Sequence, residues 1–206
     1  MITKFGVAYI DTLAVTGSLA FDPVRKVSIR LSENLDEWNI GGSWLFKFGI
    51  VNINFGENQF DEGGSQTKYS IGTSIPLSAF GVAPWDIQMF AIAGYTYNDG
   101  DIPCDTESEA CESLEPQANE DFLLVPYDSH SGYVGLLNLK KISERWTALA
   151  VLNGSIGTND YSGLVAGGGF ACQLTKRQSV NLMGLYIDSS YGQESKAILA
   201  YSYQFN

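Results

Sequence analysis

Apolar and polar residues alternate along most of this chain with a period of two. In the C-terminal segment, every second residue belongs to one apolar face, made of Ala197, Leu199, Tyr201, Tyr203 and Phe205. Apart from Ile198, the residues between them are small or polar. Because successive side chains of a strand point to opposite faces, this pattern predicts a β-strand with one apolar and one polar face.

The same alternation recurs in further segments and predicts an all-β chain. The predicted strand segments are 5–21, 27–31, 38–55, 69–77, 85–97, 132–139, 146–156, 164–174, 180–187 and 196–205. Two of them are long, and the alternation is interrupted within them at Asp11 and near Gly49. Taken as single strands they give a total of ten. Division at both interruptions gives twelve, and the sequence leaves both counts open.

The last strand resembles the terminal strand of Gram-negative outer-membrane β-barrels, in which alternating hydrophobic residues end on an aromatic residue. Here Asn206 follows Phe205, whereas those proteins usually end on the aromatic residue itself. The resemblance implies a closed antiparallel transmembrane barrel of 10–12 strands, with short periplasmic turns and longer, acidic extracellular loops. It also implies localisation in the outer membrane of a Gram-negative bacterium. A solitary autotransporter-type barrel is one possible narrower family.

Alternation alone does not distinguish a lipid-facing apolar face from a buried core, and a soluble β-sandwich or lipocalin-like barrel has the same period. Three features favour the membrane barrel. The polar faces carry Gly, Ala, Ser, Thr and Asn more than Lys and Glu, which suits a barrel lumen. Short turns alternate with longer loops. Tyr and Trp lie near strand ends, where interfacial aromatic belts form: Trp85, Tyr95, Tyr97, Trp146, Tyr186, Tyr201 and Tyr203.

Length and composition agree with one barrel domain over residues 1–206. The mean hydropathy is −0.03, and no segment supplies the ~20 consecutive apolar residues of a membrane-spanning helix. The net charge of −11 argues against nucleic acid as a partner. No signal peptide precedes the first predicted strand, so export of a barrel would require that a leader had already been removed. If Met1 is the native start, the outer-membrane interpretation loses its export route.

An acidic segment over residues 98–121 is the longest predicted connection, and it contains no Lys or Arg. We expect it to be an extracellular loop. Its two cysteines, Cys104 and Cys111, predict a disulfide in an exported protein. The carboxylates offer ligands to divalent cations, through which the loop could contact anionic lipopolysaccharide, but their spacing matches no known calcium motif. A solvated loop without bound metal is the alternative.

Four charged residues are predicted to project into the lumen: Arg30, Lys47, Lys68 and Asp86, with Lys47 included only if its segment is a strand. They predict either ion pairs that plug the barrel or a narrow pore that attracts anions. We therefore expect a non-enzymatic barrel that passes small solutes or has a structural or surface-interaction role.

Two other functions are weighed against this one, an outer-membrane lipid hydrolase and a soluble carbohydrate-binding β-protein. The hydrolase would use His130, the single histidine, but Ser129 and Ser131 are its strand neighbours and therefore point away from it. No nucleotide-binding, metalloprotease or CxxC motif occurs, so no cofactor is expected.

Overall fold

The computed structural model describes residues 2–60, 63–104, 117–118, 123–190 and 192–205. These residues form β-strands connected by turns and two short 3₁₀ helices, Leu77–Phe80 and Pro84–Asp86. The strands are β1 Ile2–Ile10, β2 Thr12–Ala20, β3 Arg25–Ser32, β4 Glu37–Phe46, β5 Gly49–Gln59, β6 Ser65–Pro76, β7 Gln88–Cys104, β8 Gln117–Ala118, β9 Leu123–Lys141, β10 Trp146–Gly157, β11 Ser162–Gln173, β12 Gln178–Ser189 and β13 Gly192–Gln204.

Twelve of the described strands form a closed antiparallel ring. Each pairs with the next along the chain, except that β7 pairs with β9, and β13 closes the ring by pairing with β1. The two-residue strand β8 pairs with β9 alone and is not part of the ring. Closure leaves no free edge, so the backbone groups of the ring strands pair with one another, as a hydrocarbon environment requires.

The two interruptions in the alternation are turns, so the count of twelve is correct. Asp11 alone connects β1 to β2 and adopts a left-handed backbone with φ of 60°. Only residues 47–48 separate β4 from β5, and Gly49 follows with φ of 155°. A Cβ atom at Gly49 would collide with the backbone carbonyl of Ser74, so a close approach of β6 requires glycine there.

The apolar row of each strand faces outward. Phe46 is 48% exposed and Leu199 is 52% exposed; many other large apolar residues of this row are exposed to a similar degree, and the rest of those described are partly exposed. In the described chain only two hydrophobic side chains are buried, Ala8 and Ala14, both on the inner row. A soluble protein of this size would bury a large apolar core. The exposed apolar surface therefore indicates a lipid-facing barrel and excludes the soluble β-protein interpretation.

The two rims of the barrel differ in their connections. Both described chain ends lie at one rim, here called the terminal rim, together with turns 21–24, 47–48, 142–145 and 174–177 and the longer segment 77–87. Three of the short turns carry basic residues, Lys47, Arg145, Lys176 and Arg177. The opposite rim carries residue 11 and connections 33–36 and 158–161, and the described ends of β5, β7 and β12 lie there as well.

Two predicted boundaries were wrong. Strand β7 continues to Cys104, so residues 98–104 belong to a strand rather than to the predicted loop. At its other end, β7 begins at Gln88 instead of Trp85. Pro84 and the left-handed backbone of Trp85 and Asp86 (φ of 53° and 58°) end the extended conformation there.

Candidate functional site: the barrel lumen

The lumen is lined by side chains and is not filled by a packed core. Most inward-facing side chains are partly exposed, with Ser32 and Ser129 among the few that are buried. The geometry therefore leaves a passage between the walls of the ring.

The inner face carries more positive than negative charge, although the chain as a whole is acidic. The strand register assigns each charged strand residue to one face. Among the described strands, the inward-facing cations are Lys4, Lys26, Arg30, Lys68, Lys141 and Lys196, and the inward-facing carboxylates are Glu37 and Glu194. The outward-facing carboxylates of the strands are Glu57, Asp99, Asp101, Asp128 and Asp188.

Arg30 lies in the wall between β2 and β4. Its Nη2 atom is 3.7 Å from Glu37 Oε2, which is a loose ion pair. Its Nε atom is shielded from solvent and has no hydrogen-bond partner. A cavity of about 270 Å³ beside it has a mixed lining, in which Lys4, Thr16 and Asn39 lie beside the apolar Phe5 and Ile29. Part of the donor capacity of the guanidinium is thus unused by the protein.

Lys68 lies further towards the opposite rim, on β6. It lines a cavity of about 360 Å³ together with Glu37, Asn58 and Asn98. No carboxylate of the described chain forms an ion pair with Lys68 or with Lys4. Their positive charge is therefore available to a solute in the lumen.

The other two predicted lumen residues do not lie on the inner face. Lys47 is in the turn between β4 and β5, and it is exposed at the terminal rim. Asp86 is exposed in the second 3₁₀ helix, at the same rim. Alternation assigns a face only within a continuous strand, so the prediction for Asp86 was wrong because the chain turns there. Lys47 was predicted to face the lumen only if its segment were a strand, and that condition is not met.

Lys4 and Lys196 are two of the four inner cations that the sequence analysis missed, the others being Lys26 and Lys141. Lys196 Nζ lies 2.9 Å from Glu194 Oε1 and 3.1 Å from Asp11 Oδ2, so it connects β13 to the turn between β1 and β2. Their positions were available from the pattern, since both lie between outward-facing residues of alternating strands. Their inclusion would have shown that the inner face is basic.

His130 lies on the outer face and is held by aromatic residues. It forms a hydrogen bond with the Tyr95 hydroxyl through Nδ1 and stacks on Tyr97 with ring centroids 4.7 Å apart. Ser129 is buried on the inner face, where it accepts a hydrogen bond from Asn98 Nδ2 at 3.1 Å. No serine–histidine pair of the kind that a hydrolase needs is therefore formed by His130 and its sequence neighbours.

Several predictions fall on parts of the chain that the structure does not describe. Cys111 lies outside the described residues, as does the side chain of Cys104, so their disulfide is not supported here and stays a prediction. The same holds for divalent cations at the acidic segment, of which residues 105–116 and 119–122 lie outside. Within the described chain, Cys172 is a free thiol on the outer face, and no cluster of His, Cys, Asp or Glu could hold a metal. No described helix is long and apolar enough to span a membrane.

Solved structures share this fold. The translocator domain of the autotransporter NalP from Neisseria meningitidis has a TM-score of 0.68 and 11% identity, covering 99% of this chain and 86% of that one. The NanC porin has a TM-score of 0.58 and 10% identity, covering 98% of both chains. The KdgM porin in complex with disordered oligogalacturonate has a TM-score of 0.53 and 8% identity, covering 100% of both chains.

The fold is that of an outer-membrane β-barrel. No protein-family model matches the chain, and no curated protein matches it by sequence. The predicted resemblance to small Gram-negative outer-membrane barrels and the all-β closed antiparallel fold are confirmed. The predicted outer-membrane localisation agrees with this fold and with the apolar outer face. At these sequence identities the similarity concerns the fold alone, and it does not establish a shared function.

Proposed function

We propose that this chain is a non-enzymatic diffusion pore of the outer membrane that favours small anionic solutes. The observation that carries the proposal is the net positive charge of the lumen wall. The described inner face has six cations and two carboxylates, although the chain has a net charge of −11. A low-dielectric wall around a narrow passage strengthens the field of these charges, so anions are concentrated and cations are repelled.

Two further features support a pore over a plugged structural barrel. Most inward-facing side chains of the described strands keep contact with solvent, as the lining of a water-filled lumen would. The KdgM porin, which has the same fold, was solved with an acidic oligosaccharide, oligogalacturonate. That solute belongs to the chemical class that a basic lumen attracts.

The proposal is tested by single-channel recording of the refolded protein in planar lipid bilayers. We expect steady unitary conductance steps. In a potassium chloride gradient, the reversal potential should lie closer to the equilibrium potential of chloride than to that of potassium. Reversing two unpaired inner charges, with Lys4→Glu and Lys68→Glu together, should shift that potential towards cation selectivity.

Lys47→Glu is the matched control because it makes the same charge change at an exposed turn of the terminal rim. We expect a much smaller shift from it, since water and salt screen a charge outside the lumen. A folded barrel that conducts no ions would favour the structural or surface-interaction role. A cation-selective wild-type pore would contradict the proposal directly.

A further inference from the structure

The inner surface is divided into two unlike walls. The described strands β7 and β9 to β12 present a contiguous apolar inner surface near their middle, here called the apolar wall, whose central residues are Phe90, Leu137, Leu149, Val151, Met183 and Leu185. Each of these side chains is partly exposed to the lumen. Strands β1 to β6 instead present Ser, Thr, Asn, Lys and Arg at most inner positions.

The apolar wall is continuous because its members are neighbours in the register. Phe90 on β7 is paired with Leu137 on β9, and Leu137 is paired with Val151 on β10. Strand β11 contributes glycine at this level, and the Leu185 side chain from β12 covers Gly167. The result is a smooth apolar surface without a charged group.

Arg30 and Lys4 stand across the lumen from this surface, whereas Lys141 lies on the inner row of β9 at the end next to the terminal rim. Strand β3, which carries Arg30, is six positions from β10 in the ring of twelve, so the two strands face one another. In the same way β1, with Lys4, faces β7, with Phe90. The lumen therefore presents cations on one side and an apolar wall on the other.

We propose that the pore binds and passes amphipathic organic anions, that is, carboxylates that carry an aliphatic or aromatic tail. This inference rests on the proposed function and names its substrate class. A water-filled lumen gains nothing from exposed leucine and phenylalanine side chains, and a tail laid on the apolar wall removes them from water. The carboxylate of the same molecule then meets the partly exposed guanidinium of Arg30, whose ion pair with Glu37 is loose at 3.7 Å, and the ammonium of Lys4, which forms no ion pair with a described carboxylate.

Other classes of solute would contact favourably either the cations or the apolar wall, but not both. A sugar acid would be attracted by the cations but would leave the apolar wall in water. A neutral hydrophobic molecule would cover the apolar wall and leave the cations without a counter-charge. Only a molecule with both parts complements both walls.

Hexanoate and gluconate make a matched pair of probes, because both are six-carbon monocarboxylates and gluconate carries five additional hydroxyl groups. Each salt is added to the folded barrel in a planar bilayer, and the concentration that halves the chloride current is measured. We expect hexanoate to act at a concentration about tenfold lower than gluconate, the ratio expected when roughly two methylene groups leave water. Equal potency of the two salts would overturn the inference while the anion-selective pore remained intact.

Variants of the apolar wall decide whether it is the source of the preference. Leu149→Asn and the isosteric Val151→Thr should each bring the two potencies closer together. Thr147→Val, on the inner row of the same strand but next to the turn, adds an apolar side chain outside the apolar wall and should leave the ratio unchanged. Folding of each variant is checked by its heat-dependent gel mobility. A ratio that survives both substitutions contradicts the assignment.

Binding to the barrel in lipid nanodiscs is measured in parallel by isothermal titration with the same two salts. If the barrel conducts no ions, the proposed function fails, and this measurement still decides the preference for a tail. Hexanoate binding that is no tighter than gluconate binding would then overturn the inference by itself.

Discussion

The tyrosine at position 133 occupies space that two glycines leave open on the inner wall. Gly72 on β6 is paired with Gly94 on β7, and Gly94 is paired with Tyr133 on β9. A Cβ atom added at either glycine would collide with the tip of the Tyr133 ring. The ring therefore lies flat across two neighbouring strands and restrains three strands at once.

Gly72→Ala tests this arrangement. The new Cβ would collide with the Tyr133 hydroxyl, whereas its other near neighbours, Ala93 O at 3.4 Å and Tyr133 Cζ at 3.5 Å, are ordinary contacts. Since Gly94 leaves no further room on the other side, the ring must lift into the lumen, and overpacking of this kind costs about 1–3 kcal/mol. Loss of unfolded-state entropy on replacing glycine offsets about 0.5 kcal/mol. We expect a net loss in the free energy of unfolding of about 1 kcal/mol.

A double-mutant cycle with Tyr133→Phe isolates the contact. Without the hydroxyl, Gly72→Ala should be neutral or slightly stabilising, so the coupling energy should be about 1–2 kcal/mol. The free energy of unfolding is measured by urea titration of the barrel in lipid vesicles, followed by tryptophan fluorescence. Gly184→Ala is the control, because a Cβ there meets no atom within 4 Å, and it should not destabilise. The same cost of Gly72→Ala in both backgrounds would refute the reasoning.

Three further predictions test the faces, the turns and the charges of the barrel. Leu199→Arg, on the outer face, should lower the free energy of unfolding in vesicles by about 2–4 kcal/mol, whereas Asn52→Lys, on the inner face, should lower it by less than about 1 kcal/mol. Equal losses would contradict the assignment of the outer face to lipid. Asp11→Val should destabilise the same vesicle-embedded barrel by about 1–2 kcal/mol more than Asp11→Gly in urea titrations, because the left-handed backbone at this position (φ of 60°) is strained for a β-branched residue. The hydrogen bond from Arg25 lowers the pKa of Asp22 below its ordinary value of 3.8, so Arg25→Gln should raise that pKa in a carboxyl-carbon NMR titration. An Asp22 pKa that is the same in Arg25→Gln and in the wild type would show that this contact is not formed. Because the pKa of Asp22 is lowered in the folded state, the ion pair stabilises the fold above the unfolded pKa, and this stabilisation is lost as the pH falls through the folded pKa.

Much of the fold was predictable because a strand with two unlike environments leaves a period-two signal. The alternation around Leu199 and Tyr201 identified both the strand and its apolar face. The same rule predicted Arg30 and Lys68 on the inner row, where the structure has them. It failed at Asp86, because the alternation of faces is lost wherever the chain turns, and the condition set for Lys47, that its segment be a strand, is not met.

The sequence by itself determined the period and the apolar row of each strand, and it limited the strand count to ten or twelve. Only the tertiary structure decided that this row faces outward, since alternation is the same for a core and for a lipid-facing surface, and exposure tells them apart. The structure alone also decided which strands stand across the lumen from one another. Register and closure are set by backbone pairing between distant segments, so the opposition of Arg30 to the apolar wall is not written in any single stretch of the chain.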